Sequence, residues 1–491
     1  MNLTLFSNLI SGNSLISRCL RGGSILAAGT VFERGFRFVI NMILARLLAP
    51  DQFGLMALVM AAIAFFETLT EVGIRQSIVQ NKKGDTTEFL NVAWWFSAVR
   101  GVALYVVGFL AAPWVAQFYG EPALVPLLRV AFLNMLFLGL TNPSLYVLEK
   151  RLQFGRYVWI MQGSATLGTV LCLLIAIMAP SVWALVAGVV TQGFLKCLGS
   201  FLFCPVHIEL HLNRDSLNEL FRFSRRMIGL PILTYLFLQA DILLMGRMLD
   251  KDTVGLYFMA LTLCSIPRIL FSRIAGPMVL PVLAEAQDSN EILRKRLLKM
   301  TRMLFLFGLP MTTCLAVFSK ELLTVVYGPD YARVSTAFGF LCYYILLYIS
   351  GTLIASAYIA TGRPDIHRWF TVSRVIFMII IIYPAIIWLG PTGAASARLL
   401  CLVLAGVVQQ FNLSKLIDLP VLQYVATLKE GAFLSLAILP VAFFFRRVIE
   451  MPILQVSIAI SLCGLVWLYI FWTKKDSVQD MFSKNKALRT I

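Results

Sequence analysis

Blocks of about 20 apolar residues recur along almost the whole chain, and they constrain the fold more than any other feature. The connections between the blocks are too short to form a soluble domain. With 59% hydrophobic and 14% charged residues and a mean hydropathy of +0.82, the chain of 491 residues has more apolar surface than a water-soluble protein could bury. The sequence therefore predicts an all-α, multi-pass membrane protein.

Matching the apolar blocks to the thickness of a bilayer predicts about fourteen transmembrane helices. The longest blocks, around 53–78 and 253–284, are expected to tilt or kink. The predicted spans are 24–48, 53–78, 89–112, 123–147, 157–179, 181–204, 226–249, 253–284, 300–319, 333–360, 369–389, 392–413, 429–448 and 452–473.

The net charge of +17 is distributed in alternate loops, which is the pattern that sets membrane orientation. With the amino terminus inside, the inner loops hold most of the cations, for example Lys82, Lys83, Arg225 and Arg226. We therefore expect a protein of the cytoplasmic membrane with both termini in the cytoplasm, and no nucleic-acid partner.

The sequence lacks the residue patterns that are typical of catalytic sites, metal sites and disulfide frameworks. The nine cysteines lie mostly inside apolar blocks without the paired spacing of a metal site or a disulfide framework. No Ser/His/Asp set and no outward carboxylate pair lies on a loop long enough to form a reaction site. We predict a protein that is not an enzyme, with no catalytic residues, metal or organic cofactor.

An internal repeat divides the chain into two halves. ARLLAPDQFGL at Ala45–Leu55 matches GRMLDKDTVGL at Gly246–Leu256 without a gap, which superposes Gly54 on Gly255. Three further landmarks recur in the same order and at nearly the same offset, and six predicted spans separate equivalent positions. The repeat predicts two pseudo-symmetric six-helix bundles with a cavity between them.

The repeat and the span boundaries together predict six segments. They are a cytoplasmic amino terminus (1–23), an amino-terminal lobe (24–206), a cytoplasmic amphipathic linker (207–226), a carboxy-terminal lobe (227–414), a linker with two extra helices (415–473) and a basic cytoplasmic tail (474–491).

Ionisable side chains inside the predicted spans are the candidate functional residues. Each costs about 2.5–3.5 kcal/mol near the bilayer centre, so each should face water, a partner or a cargo rather than lipid. The cations suit a phosphate or an acidic sugar, because arginine binds such groups with paired hydrogen bonds. The substrate-binding candidates are Arg34, Arg37, Arg268, Arg273, Arg374 and Arg398. Glu33, Glu67 and Asp241 are candidates for binding a coupling proton or sodium ion.

Structural roles compete with these functional ones. Glu67, Glu71 and Arg75 are spaced to form a ladder of ion pairs along one helix face, and Glu33 with Arg37 has the same spacing. Other cations lie near span ends, where they would reach the lipid headgroups instead of a cargo. These are Arg46, Arg100, Lys196 and Arg247. The repeat also superposes Glu67 on Arg268, so these two could pair between the halves.

Two stretches resemble a known family. Gln52–Gln80 has the Gln-Phe-Gly turn and the Ile78-Val79-Gln80 ending, and Val325–Ile366 has a Tyr-Gly-x-x-Tyr turn and a Gly-Arg-x-Asp loop. Both are similar to bacterial polysaccharide flippases of the colanic acid and teichuronic acid exporter branch, within the multidrug/oligosaccharidyl-lipid/polysaccharide exporter superfamily.

This resemblance implies a V-shaped pair of lobes with two trailing helices, alternating access, and a cargo of undecaprenyl-pyrophosphate-linked oligosaccharide in the bacterial inner membrane. Membrane lipids and the polysaccharide polymerase or export machinery are the expected partners. The alternatives are a cation-coupled multidrug antiporter, a lipid II flippase, and a membrane glycan polymerase or ligase. The resemblance transfers no individual binding residue.

Overall fold

The computed structural model describes residues 15–69, 73–204 and 230–473. The predicted linker 207–226, the basic tail 474–491, Glu71 and most of the amino-terminal segment 1–23 lie outside these residues. The described residues form α-helices joined by short turns, with three short π or 3-10 segments, which confirms the all-α prediction.

Contacts group the described residues into two compact units. Unit 1 runs up to Gly276 and also includes Met378–Gly390, and unit 2 comprises Pro277–Phe377 and the residues from Pro391 onward. The division does not follow the predicted linker at 207–226, because residues 230–276 pack within unit 1. The predicted lobe boundaries stay a prediction.

Unit 1 contains most of the amino-terminal repeat and the first helices after the linker. Its helices are α1 (Leu15–Leu47), α2 (Pro50–Leu69), α3 (Ile74–Gln80), α4 (Thr87–Tyr119), α5 (Leu124–Ala131), α6 (Leu133–Leu140), α7 (Ser144–Lys150), α8 (Phe154–Val158), α9 (Ser164–Met178), α10 (Val182–Phe203), α11 (Leu230–Met248), α12 (Lys251–Cys264) and α13 (Ile266–Leu270). Two π-helical turns, Trp159–Gly163 and Phe271–Ala275, follow α8 and α13.

Unit 2 contains the remaining helices. They are α14 (Gly276–Ala284, beginning at the boundary), α15 (Asn290–Val317), α16 (Ser319–Val326), α17 (Ser335–Ala360), α18 (Pro364–Ile417, of which Met378–Gly390 belongs to unit 1), α19 (Val421–Ala426), α20 (Lys429–Val448) and α21 (Pro452–Thr473). A 3-10 turn, Pro329–Val334, precedes α17. The two trailing helices α20 and α21 both pack against α15, and Cys314, Ile438 and Ala459 meet in their shared core.

Ten of the described helical segments are long and apolar enough to cross a membrane, or eleven if the bent pair Leu124–Leu140 and Ser144–Lys150 forms one span. The predicted number of fourteen is therefore not confirmed. One reason is that α18 holds two predicted spans, which meet at Gly390 with a positive φ of 54°. Another is that α1 carries three charged residues within five positions.

Both long predicted segments are interrupted. The segment 53–78 is divided between α2 and α3, and α3 begins after Gly73, whose φ is 60°. The segment 253–284 is interrupted at Ser265, where α12 ends, and then passes through the π-helical turn Phe271–Ala275. The predicted irregularity is therefore present in both segments.

The repeated glycines Gly54 and Gly255 meet where α2 crosses α12. A methyl group on Gly54 would lie 2.0 Å from the carbonyl oxygen of Lys251, and one on Gly255 would lie 1.8 Å from that of Pro50. The contact is reciprocal, because the repeat superposes Pro50 on Lys251. Only glycine permits this approach of two backbones. Both halves of the repeat therefore carry glycine at the position where the helices cross.

Replacing Gly54 or Gly255 with alanine should push the two helices apart and lower the free energy of unfolding by about 1–3 kcal/mol. The measurement is thermal unfolding of the purified protein in detergent. Gly464→Ala is the matched control, because nothing lies within 4 Å of the added methyl group on α21. Equal unfolding temperatures for all three variants would contradict the close crossing.

Candidate binding site for an anionic headgroup

Three predicted residues form one group on α1. Glu33 is 6% exposed, and one of its carboxylate oxygens accepts a hydrogen bond from Arg37 Nε at 2.8 Å. The other oxygen forms an ion pair with Arg34, whose Nε lies 3.1 Å away. The Arg34 and Arg37 side chains are about one-third exposed. Glu33 therefore holds two arginines in place, and each arginine side chain stays partly exposed.

Two π-helical turns lie beside α1. The turns Trp159–Gly163 and Phe271–Ala275 both pack against this helix. In the first turn, the Gln162 side chain is 3.1 Å from the Thr30 hydroxyl of α1. π turns are rare and occur often at functional sites. Two of them packed against the same charged helix α1 therefore indicate a functional site.

The second π turn brings two more predicted arginines to α1. Arg273 lies within the turn and is exposed, and half-buried Arg268 lies just before it. Arg37, Arg268 and Arg273 are all close enough to act electrostatically on Arg34. We call Arg34, Arg37, Arg268 and Arg273 the four-arginine cluster. Together with Glu33 it contains four cations and one anion, and this excess of positive charge suits an anionic ligand.

A second group of charges lies at the end of the interrupted helix α2–α3. Arg75 Nε and Nη2 donate to the two oxygens of Glu149 at 2.8 and 2.7 Å. The buried Tyr157 lies within electrostatic range of Arg75, Glu149 and Arg273, so it adjoins both groups. Arg75 thus pairs with a residue of α7. The predicted ladder of Glu67, Glu71 and Arg75 stays a prediction, because Glu71 lies outside the described residues.

The loop after α3 is fixed to the same end of α7. Lys150 Nζ donates to the Asn81 carbonyl oxygen at 2.7 Å and to an Asp85 oxygen at 3.1 Å, and Arg151 Nη2 donates to the other Asp85 oxygen at 3.2 Å. The hydrogen bonds from Lys150 and then Arg151 lower the pKa of Asp85. Asp85 therefore remains ionised at neutral pH, and these contacts hold the loop.

The three candidates for ion coupling have different surroundings. Asp241 is fully buried on α11 and accepts a hydrogen bond from the Tyr257 hydroxyl at 2.5 Å. Glu33 forms ion pairs with Arg34 and Arg37. Glu67 has an exposed side chain, and its backbone carbonyl accepts from Arg100 Nη2 at 3.2 Å. Its predicted pairing with Arg268 stays a prediction.

The last two predicted arginines belong to unit 2 and are buried there. Arg374 is 6% exposed and lies 5.7 Å from the centre of the Phe370 ring, and Arg398 is 2% exposed and lies 5.2 Å from the centre of the Tyr344 ring. Cation–π contacts of this kind stabilise a desolvated arginine. Of the six predicted arginines, the structure therefore brings four together in unit 1. Arg374 and Arg398 form part of the interior of unit 2.

Comparison with known proteins assigns the chain to a family. The sequence profile described as "Polysaccharide biosynthesis protein" matches residues 43–336, which is more than half of the chain. The chain belongs to this family.

Several curated polysaccharide biosynthesis proteins are similar over most of their length. Lipopolysaccharide biosynthesis protein WzxC of Escherichia coli (strain K12) is 26% identical over 445 residues, which cover 88% of each chain. Teichuronic acid biosynthesis protein TuaB of Bacillus subtilis (strain 168) is 22% identical over 87% of this chain and 88% of its own. The chain is therefore similar to both relatives along most of its length.

Solved structures show the same fold at low sequence identity. The lipid II flippase MurJ in an inward closed conformation has a TM-score of 0.73 at 12% identity, and covers 91% of this chain and 99% of its own. An inward-facing multidrug resistance MATE family transporter has a TM-score of 0.63 at 14% identity, over 78% of this chain and 96% of its own. This chain therefore has the fold shared by MurJ and the MATE transporters.

Sequence reasoning missed several members of the site. It gave no role to Tyr157 or Glu149. The partners Arg75 and Glu149 are 74 residues apart, so no local spacing connects them. No signal in the sequence would have identified this pair.

The Glu33 carboxylate should be essential for holding the cluster. Glu33→Gln removes the charge that balances Arg34 and Arg37. Breaking a buried ion pair costs about 3–5 kcal/mol, and the partial exposure of both arginines reduces the expected loss of unfolding free energy to about 2 kcal/mol. Thermal unfolding in detergent measures this loss. Arg333→Gln is the control, because its 3.8 Å pair with Asp330 is exposed and should contribute less than about 1 kcal/mol. Similar losses in both variants would contradict the assignment.

Proposed function

We propose that the protein is a transporter, not an enzyme, which carries a lipid-linked polysaccharide precursor across the bacterial cytoplasmic membrane by alternating access. The observation that carries this proposal is the four-arginine cluster on apolar helices of a polysaccharide biosynthesis family member. The polar headgroup of such a precursor cannot cross hydrocarbon unaided, and a protein cavity avoids most of the desolvation cost.

The chemistry of the cluster suits a pyrophosphate group. Arginine presents fixed pairs of N–H donors that match phosphate oxygens, and it remains charged at any physiological pH. The family fold is shared with a protein named as a lipid II flippase, and a relative is named as a succinoglycan biosynthesis transport protein. We therefore propose an undecaprenyl-pyrophosphate-linked oligosaccharide as cargo, with its prenyl chain remaining in the lipid. The distribution of Lys and Arg supports cytoplasmic termini.

Transport is coupled to a proton or sodium ion in this proposal, and Asp241 is the best candidate of the three acids. It is fully buried and accepts a hydrogen bond from the neutral Tyr257 hydroxyl, whereas Glu33 holds two arginines. Binding a coupling ion would offset the cost of burying the Asp241 carboxylate in an apolar interior.

The crossing of α2 and α12 should separate during the transport cycle. It joins the two sequence repeats at Gly54 and Gly255, and alternating access requires repeats to move against one another. Pro50→Cys with Lys251→Cys, in a background without other cysteines, allows a short cleavable thiol crosslinker to lock the crossing. We expect transport to stop on crosslinking and to return on cleavage, as measured by cargo delivery in membrane vesicles. Continued transport with the crosslink in place would show that the crossing is static.

Cargo accumulation tests the proposed function in cells. Deleting the gene should leave lipid-linked glycan on the cytoplasmic face, where a sugar-modifying enzyme applied to each face of vesicles reveals it. The wild-type gene should reverse this accumulation, whereas Arg268→Ala and Arg273→Ala should not, although both proteins reach the membrane. Arg46→Ala is the control at an exposed helix end and should restore transport.

Other outcomes identify other functions. Normal glycan distribution with altered drug sensitivity would favour a multidrug antiporter, and rescue of peptidoglycan synthesis would favour a lipid II flippase. Loss of folded protein in all three arginine variants would make these residues structural. The antiporter is less consistent with the site, because a cationic drug would be repelled by four arginines.

A further inference from the structure

Lys196 lies within the apolar helix α10. It is in the last third of α10, between Gln192 and Ser200, and is half-buried. Its ammonium group makes no hydrogen bond or ion pair with any residue in the described ranges 15–69, 73–204 and 230–473. By contrast, Lys150 makes three hydrogen bonds. An ammonium group in such a place is costly unless it faces water or a ligand.

The surroundings of Lys196 belong to unit 1 and are polar. Helix α10 packs against α2, and Lys196 lies within electrostatic range of Glu67 and Arg75. Arg100 of α4 approaches the same end of α2, where it donates to the Glu67 carbonyl oxygen. Tyr146 of α7 is close enough to interact electrostatically with Glu67, Arg75 and Arg100. We call Glu67, Arg100, Tyr146 and Lys196 the Lys196 site.

The charge of the Lys196 site differs from that of the four-arginine cluster. It has two cations and one carboxylate, and the neighbouring Arg75 is already neutralised by Glu149. One excess positive charge matches one carboxylate of a ligand, whereas four arginines with one acid match a group with several charges. A lysine acts as a point charge and suits a carboxylate without requiring the paired geometry of a phosphate.

We infer that the Lys196 site binds a carboxylate carried by the sugar part of the cargo, as in an acidic sugar or an acidic substituent. This inference rests on the proposed function and specifies the cargo further. Lys196 and Arg100 contact the carboxylate, Tyr146 contacts the sugar through its ring or hydroxyl, and Glu67 balances the charge of Lys196 when no cargo is present. Lys196 is thus a specificity-determining residue, and the four-arginine cluster binds the pyrophosphate.

The test compares two cargos that differ in one group. The purified full-length protein is placed in liposomes with a lipid-linked oligosaccharide that contains a uronic acid, or with the same molecule after reduction of the carboxyl group to an alcohol. Initial rates are measured over a range of cargo concentrations. The variants are Lys196→Met, which keeps length without charge, and Lys196→Arg, which keeps the charge. Lys320→Met is the control at an exposed lysine.

We expect Lys196→Met to lower kcat/KM for the acidic cargo by about tenfold or more, the effect of losing a hydrogen bond to a charged group. The rate for the reduced cargo should not change, and Lys196→Arg should retain most of the preference. Equal losses for both cargos would show a structural role and overturn the inference, as would an unchanged preference in Lys196→Met. If the wild-type protein moves neither cargo, the proposed function fails as well; if it moves both equally well, only the inference fails.

Discussion

The cost of placing a charge in hydrocarbon is the constraint on which the rest of this structure depends. Unit 1 meets it by grouping charges instead of scattering them. Glu33 neutralises part of the charge of two arginines on its own helix, and Glu149 receives Arg75 from a helix distant in sequence. The four-arginine cluster retains an excess of positive charge, which a solely structural arrangement would have no reason to keep. A site for an anionic headgroup explains this excess.

Helix geometry is adapted to the same requirement. The π-helical turn Phe271–Ala275 and the interruption between α2 and α3 both lie beside charged residues, so the irregular backbone coincides with the polar part of the unit. Irregular backbone at membrane depth is tolerated where it is buried in protein or lines a water-filled cavity. The regular helices α9 and α10, by comparison, pack closely through Gly168 and Gly188.

The sequence predicted the helices well because their signal is local. Apolar length predicted the helical segments, and the boundary between the predicted spans 369–389 and 392–413 falls at Gly390, where the structure interrupts α18. The repeat also indicated that Gly54 and Gly255 are equivalent, although it could not show that they touch. Pairings between distant residues leave no local pattern, so Arg75–Glu149 was missed. The π turns were missed for a similar reason, because their residues read as ordinary apolar helix.

Burial separated candidates that the sequence treated alike. Arg374 and Arg398 have the same sequence signal as Arg268 and Arg273, an arginine within an apolar block. In the structure the first two are buried against aromatic rings in unit 2, whereas Arg273 is exposed beside α1. Periodicity cannot make this distinction, because it depends on which helix lies opposite.

The most direct test is movement of cargo by the purified protein alone. Proteoliposomes that contain this protein and a fluorescent undecaprenyl-pyrophosphate-linked oligosaccharide are treated with an enzyme that modifies the sugar on the outer face only. The account predicts that cargo initially protected inside becomes accessible at a rate proportional to protein content, and that Arg268→Ala with Arg273→Ala removes this rate. Cargo that stays protected, in vesicles that exchange a cationic drug for protons or sodium ions, would contradict the account.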